Sequence, residues 1–180
     1  MENQKLKSMK LAKMSMLVAI SIVLVMIIHF PIFPAVAFLE YDPADIPILI
    51  GTFAFGPLAG ILLTAVVSVL QGLTVSAASG AYGIIMHLFA TTALVTVSGL
   101  IYRKHKTKKT AVIGLIAGTI AMAVVMFFAN MVVTPLFTGM PLAAIMKLMP
   151  FIVLFNIVKA GINSIVTFIV YKRISPFLHK

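Results

Sequence analysis

The sequence is poor in charge and poorer still in acid. Its 180 residues include no cysteine, no tryptophan and only four acidic side chains, and 10 % of the chain is charged. Without cysteine there is no disulfide framework and no thiolate metal site. With so few Lys, Glu and Asp there is too little polar surface to coat a soluble globule. No Gly-x-x-x-x-Gly-Lys-Ser/Thr stretch is present to cradle a triphosphate, so the chain does not drive work with ATP by itself. It has neither a His-Glu-x-x-His ligand pair nor a Gly-x-Ser-x-Gly elbow, and enzymatic chemistry is not expected.

What fills the chain instead is apolar: 62 % of residues are hydrophobic, gathered into runs of roughly membrane-spanning length, about 20 residues each. A bilayer-spanning chain must satisfy its own backbone, as helices or as a closed barrel. Barrel strands alternate apolar and polar residues, and the stretches 58–70 and 112–128 do not. The expectation is an all-α integral membrane protein, a single domain over 1–180. Its helices fall at about 10–30, 45–55, 57–73, 82–102, 110–133 and 150–172, with an outer capping loop at 32–44. The first apolar run resembles a signal peptide in its flanking charge. However, it is long enough to span, and no small-residue cleavage site follows, so it is retained as the first helix.

The net charge of +10 might suggest a nucleic-acid partner, but its distribution argues for topology. Lys5, Lys7, Lys10 and Lys13 precede the first run. Arg103, Lys104, Lys106, Lys108 and Lys109 fill one loop, and Lys172, Arg173 and Lys180 close the chain. Clusters of this kind mark the cytoplasmic side. No nucleic acid is expected. Reading Gly56-Pro57 as a tight cytoplasmic turn yields six transmembrane helices, puts every cluster on one side and leaves both termini cytoplasmic. It also leaves a second helix too short for the ~30 Å hydrocarbon core, tolerable where its ends are buried in protein or line a cavity. The stretches 74–81 and 136–150 then lie as outer loops beside the capping loop.

Three of the four acids, Glu40, Asp42 and Asp45, stand inside the ten positions 38–47, where that loop meets the second helix. The prolines separate them. With Asp45 as N-cap of the second helix, Pro47 sits in the first turn, where N–H groups lack helical partners anyway. Glu40 and Asp42 are then expected to be solvated at a rim. Polar side chains at membrane depth are costly and default to functional hypotheses. Here they are Gln71, Asn130, Asn156, Lys159 and Asn163, the last three on one helical face by their spacing of three and four. Lys159 is the basic residue set well inside an apolar run. It needs a carboxylate, a cavity or a ligand, and a structural bridge to Asp45 is one solution. Asn and Gln can instead be interhelical glue worth about 0.6 kcal/mol each. His29 and His87 read as interfacial or packing residues, and the twelve Met as core filler. On the first helix Ala12, Ser15 and Ala19 form a small-residue stripe, suited either to packing within the bundle or to docking another membrane protein.

Asp45-Ile46-Pro47, Phe55-Gly56-Pro57-Leu58-Ala59-Gly60, Val69-Leu70-Gln71, Asn130 before Pro135, and Phe155-Asn156-Ile157-Val158-Lys159 together resemble the riboflavin-binding S components of energy-coupling factor (ECF) transporters. The resemblance covers nearly the whole chain. It implies a six-helix subunit in the bacterial plasma membrane that captures riboflavin near the outer face beneath the loop after helix 1. It also implies partners: a transmembrane coupling subunit and two ATPases. Family members dock through small residues on helix 1, usually Ala-x-x-x-Ala, for which Ser15-x-x-x-Ala19 is the match here. No cofactor is implied beyond riboflavin as bound substrate. The chemistry agrees, because Asn and Gln amides both donate and accept, as the pyrimidinedione edge of a flavin requires. The expected binding set is Leu39, Tyr41, Asp45, Gln71, Ala78, Gly80, Gly83, Asn130, Asn156, Lys159 and Asn163. Leu39 and Tyr41 serve as lid, and Ala78, Gly80 and Gly83 let a flat ring approach. The alternatives are an S component for another vitamin, though lack of Trp disfavours an indole-stacked thiamine-like site, and a membrane assembly protein.

Overall fold

The computed structural model describes residues 2–178; Lys180 of the closing basic cluster lies outside them. Among the described residues there are six α-helices: α1 (Glu2–Ile27), α2 (Asp45–Phe55), α3 (Pro57–Leu73), α4 (Gly80–Lys104), α5 (Lys108–Thr138) and α6 (Leu142–Leu178). Four of them, α1, α4, α5 and α6, are long and apolar enough to cross a membrane. The other two are shorter apolar helices.

The shortness of α2 has a packing explanation. Every residue from Asp45 to Phe53 is buried, and the helix touches α1, α3, α4 and α6. A helix apolar all round belongs inside a protein, and one shielded by four others need not match the bilayer thickness. Gly56, at φ 94°, turns the chain between α2 and α3 in a conformation that a Cβ would strain. Pro57 then opens α3 at its first position, where its missing N–H costs nothing.

α4 and α5 meet backbone to backbone. A Cβ on Gly114 would lie 2.9 Å from the Ser98 carbonyl oxygen, and one on Gly118 would lie 2.8 Å from that of Leu94. This is close approach through small residues, the usual solution where lipid supplies no hydrophobic drive. Thr107 and Thr110 close a capping box at the start of α5, satisfying two N–H groups that have no helical partner. At the same end of the bundle Phe53, Tyr102 and Tyr171 form an aromatic cluster, with centroids 4.4, 5.4 and 6.0 Å apart.

The opposite end carries the longer connections, and here several expectations need correction. α1 ends at Ile27, before the expected 30, and Phe30–Pro31 pairs antiparallel with Glu40–Tyr41 as a two-residue ribbon that holds the loop together. Pro135 does not terminate α5 but lies inside it, and the helix runs on to Thr138 and ends at Gly139 with φ 70°. The expected outer loop 136–150 is therefore only a short link, since α6 already begins at Leu142. A proline that removes one helical hydrogen bond near a helix end is tolerated where the helix is packed.

Candidate functional site

Beneath the ribbon loop a cavity opens between the helices. Its roof is Phe38, Leu39, Glu40 and Asp42. Ser68 and Gln71 come from α3, Tyr82, Gly83, Met86 and His87 from α4, Met122 and Met126 from α5, and Phe155, Asn156 and Lys159 from α6. The interior is about 100 Å³, and the space including the open mouth is about 700 Å³. The methionines and Phe155 supply its apolar lining, and Gln71, His87, Asn156 and Lys159 belong to its polar side.

That polar side is organised by an ion pair. Lys159 Nζ donates to Asp42 Oδ2 at 2.7 Å, with both residues buried, Asp42 to 3 % exposure and Lys159 to 6 %. Asp42 is thus not a solvated rim acid, and Lys159 is bridged to it and not to Asp45. The reason is geometric. Asp42 Oδ1 accepts from the Ala44 N–H at 3.1 Å, and its backbone oxygen accepts from Asn163 Nδ2 at 3.2 Å, so the loop is folded inward around this carboxylate. Gln71 Nε2 donates to Asp42 Oδ2 as well, at 3.2 Å. Burial alone pushes the Asp42 carboxyl upward. The Lys159 ammonium, through its charge and its hydrogen bond, acts together with His87 to hold the group below the ordinary value of 3.8. Tyr41 moves the other way: burial raises its phenol above the ordinary 10.0, and the Asp42 charge adds to the rise.

Asp45 also departs from expectation. Ala44 is the N-cap, without a side-chain bond, and Asp45 is the first residue of α2. Its carboxylate reaches across the bundle and accepts from Thr91 Oγ1 at 2.6 Å and from Asn163 Nδ2 at 3.1 Å. Asn163 Oδ1 accepts from the Tyr41 hydroxyl at 3.0 Å. Tyr41, Asp45 and Asn163 therefore form a buried brace behind the cavity wall and do not line it. Asn130 lies apart too. Its Nδ2 donates to the Met126 carbonyl and its Oδ1 accepts from Thr134, whose hydroxyl meets Tyr82 Oη at 3.1 Å. Through that chain Asn130 orients Tyr82, which lines the cavity and stacks on Phe137 at 4.0 Å.

Of the expected set, the structure brings Leu39, Gln71, Gly83, Asn156 and Lys159 to the cavity. Ala78 is exposed, and Gly80, at φ 48°, shapes the turn into α4. Ala12, Ser15 and Ala19 are all exposed on α1, so the stripe is not consumed by packing within the bundle.

Some cavity residues escaped the sequence reading. His87 is not mere packing: its Nδ1 lies 2.7 Å from Ser68 Oγ, and its Nε2 lies 3.5 Å from Asp45 Oδ1. That separation is an electrostatic contact, and Nε2 has no hydrogen-bond partner. His29, at the mouth, pairs with Glu40 at 2.8 Å. A lone histidine at membrane depth was the available signal for His87; nothing local pointed to Asp42.

The arrangement leaves polar capacity unspent. Gln71 Oε1 is buried without a partner. Asn156 commits Nδ2 to the Ile152 carbonyl at 2.8 Å, and its Oδ1 accepts nothing from the described residues. Lys159 spends one of three ammonium N–H groups on Asp42. A half-apolar cavity offering two acceptors and a cation is built for a small amphipathic guest.

Such a helical membrane bundle, with its binding cavity under a loop at one end, has the architecture of a transport subunit that captures a substrate. The chain belongs to the family of substrate-specific components of ECF transporters, whose model matches residues 9–171. It is 34 % identical to the riboflavin transporter RibU of Staphylococcus aureus (strain TCH60), over 95 % of this chain and 93 % of that one. It is 28 % identical to the riboflavin transporter FmnP of Bacillus subtilis (strain 168), over 97 % and 96 % respectively. A solved S component of a bacterial ECF transporter superposes with a TM-score of 0.82 at 33 % identity, over 97 % of this chain and 99 % of that one. ThiT from Listeria monocytogenes, at 18 % identity and a TM-score of 0.70 over 96 % and 98 %, shares the fold. The chain is a membrane transport component and not an enzyme.

Proposed function

We propose that this protein captures riboflavin at the outer face of the bacterial plasma membrane. The observation that carries the reading is the unspent polar set, Gln71 Oε1, Asn156 Oδ1 and the Lys159 ammonium, facing a methionine-lined wall in a chain similar to proteins named riboflavin transporters. The two acceptors suit the ring N–H and the ribityl hydroxyls. Lys159 donates to a ring carbonyl or nitrogen. The dimethylbenzene end lies against Met86, Met122, Met126 and Tyr82, and Gly83 allows close approach of a flat ring. Leu39 closes the roof. Tyr41, Asp45, Asn130 and Asn163 contribute from behind by holding the loop and Tyr82 in place, while Ala78 and Gly80 form the rim turn. An interior near 100 Å³ is below the ~300 Å³ at which small-ligand pockets begin, so loading requires the loop 32–44 to lift.

All six helices cross the membrane in this reading, with Gly56 and the 105–107 turn cytoplasmic and both termini inside with the basic clusters. Delivery depends on a coupling subunit and two ATPases, engaged through Ala12, Ser15 and Ala19. Purification tests the ligand directly: the protein should carry flavin visible absorption or quench the fluorescence of added riboflavin. Protein that does neither, while still monodisperse and helical, defeats the proposal. Because the chain has no native cysteine, single cysteines at Ser76 and Lys106 report sidedness cleanly. Labelling of both from the same side would overturn the topology.

A further inference from the structure

Away from the vitamin cavity, α5 and α6 diverge along a groove on the outer surface of the bundle. It runs from Val112 to Ile120 on α5 and from Ile157 to Ile169 on α6, with a volume of about 690 Å³. Its walls are branched aliphatic and exposed: Ile116 57 %, Ile120 59 %, Ile165 63 %. Thr119, the hydroxyl in its α5 wall, returns its proton to the Leu115 carbonyl at 2.9 Å, and the Ser164 hydroxyl in its α6 wall is buried, though without a partner, so the surface presented outward is almost all hydrocarbon. At about 1.5 Å per residue the α5 side of this stretch is ~12 Å long, close to the ~15 Å depth of one leaflet, and a second apolar hollow between Ile120, Phe127, Val153 and Ile157 continues it away from the charged end. The groove exists because α6 has Gly161 at its centre, where an added Cβ would meet nothing within 4 Å.

One end of the groove is charged. Lys108 and Lys109 stand four and three residues before Val112, and Lys172 and Arg173 stand three and four after Ile169, all four exposed. Residues three and four apart share a helical face, so both helices carry two cations directly over the groove's end. A hydrocarbon slot one leaflet deep, topped by four cations from two helices, matches one molecule that has a long acyl chain and an anionic head. We propose that the α5–α6 groove binds an anionic phospholipid, its phosphate held by Lys108, Lys109, Lys172 and Arg173 and its acyl chain lying past Gly161. Basic pockets between membrane helices bind anionic headgroups on this physical basis. The proposal is independent of the vitamin, since none of these residues touches the riboflavin cavity.

The test is native mass spectrometry of the full chain, exchanged from detergent into mixed phosphatidylglycerol and phosphatidylcholine. Wild type should retain one phosphatidylglycerol in clear preference to phosphatidylcholine. Replacing the four cations by Gln should erase that preference, by about fivefold for each cation removed near the surface. Gly161→Phe should fold, judged by helicity and monodispersity, yet lose retained lipid of either head. Equal retention of the two lipids by wild type, or undiminished lipid on a folded Gly161→Phe, overturns the proposal. So does a lipid-free chain in which Ile116→Cys forms a disulfide-linked dimer, which would give the groove to a second copy.

Discussion

The Asp42–Lys159 pair offers the most discriminating test of how the site is built. Both charges are nearly excluded from solvent, and the 2.7 Å bond joins the loop to the middle of α6 across 117 residues. Asp42→Asn removes the charge but keeps an acceptor for the Ala44 N–H, so its effect isolates the uncompensated ammonium. Lys159→Met keeps the alkyl stem and leaves the carboxylate with Gln71 and Ala44 as its neutral donors. Breaking a buried pair from one side costs about 3–5 kcal/mol, whereas replacing both members by neutral groups of similar volume is often close to neutral. Each single variant should therefore lose about 3 kcal/mol while the double variant loses no more than about 1 kcal/mol, a coupling of about 5 kcal/mol. Thermal unfolding in detergent, with riboflavin absent, reads this cycle. Flavin titration supplies the second axis. Lys159→Met and the double variant should bind equally poorly, because both lack the ammonium, whatever their stabilities. Single effects that add within about 0.5 kcal/mol would refute the claim that this pair organises the cavity.

Asn156→Ala removes an unspent acceptor and should weaken riboflavin binding by about 1–3 kcal/mol with little change in ligand-free stability, whereas Gln71→Met also removes a donor to the Asp42 carboxylate and should lower both; a fluorescence titration against a melting curve separates the two effects. The pH dependence follows from the depressed Asp42 carboxyl. Its contribution is fully present above the ordinary value of 3.8 and is lost as pH falls through the lower folded value. The stability gap between wild type and Asp42→Asn should accordingly stay constant down to about pH 4 and shrink only below it, and a gap already closing near neutrality contradicts this. Glycine substitutions on the last two helices should differ in sign. Gly118→Ala drives a methyl against the Leu94 carbonyl and should cost about 1–3 kcal/mol, whereas Gly161→Ala meets open space and should gain about 0.5–1 kcal/mol of helix stability.

The sequence by itself determined the class of structure and the depth at which its chemistry lies. An apolar chain with no cysteine and four acids had to be a helical membrane bundle, because only helices or a closed barrel satisfy their backbone in lipid and its apolar runs lack a barrel's alternation. Proline and glycine marked the α2–α3 turn correctly, since Gly56 needs its positive φ whatever surrounds it. Gln71, Asn156 and Lys159 were visible as cavity residues because a polar group at membrane depth is too costly to be idle. Boundaries were less legible. The expected end at 133 and start at 150 cut the last two helices short, because a packed helix absorbs a lost hydrogen bond and α5 and α6 run through Pro135 and Pro150. Partner choice among the acids was decided by tertiary structure alone. Local capping rules favoured Asp45 as N-cap and left Asp42 in water. The ribbon between Phe30–Pro31 and Glu40–Tyr41 instead folds the loop inward, which brings Asp42 to Lys159 and turns Asp45 toward Thr91 and Asn163. Which carboxylate meets the buried cation depends on how a loop crosses a bundle mouth, a relation between residues 117 apart that no local pattern encodes.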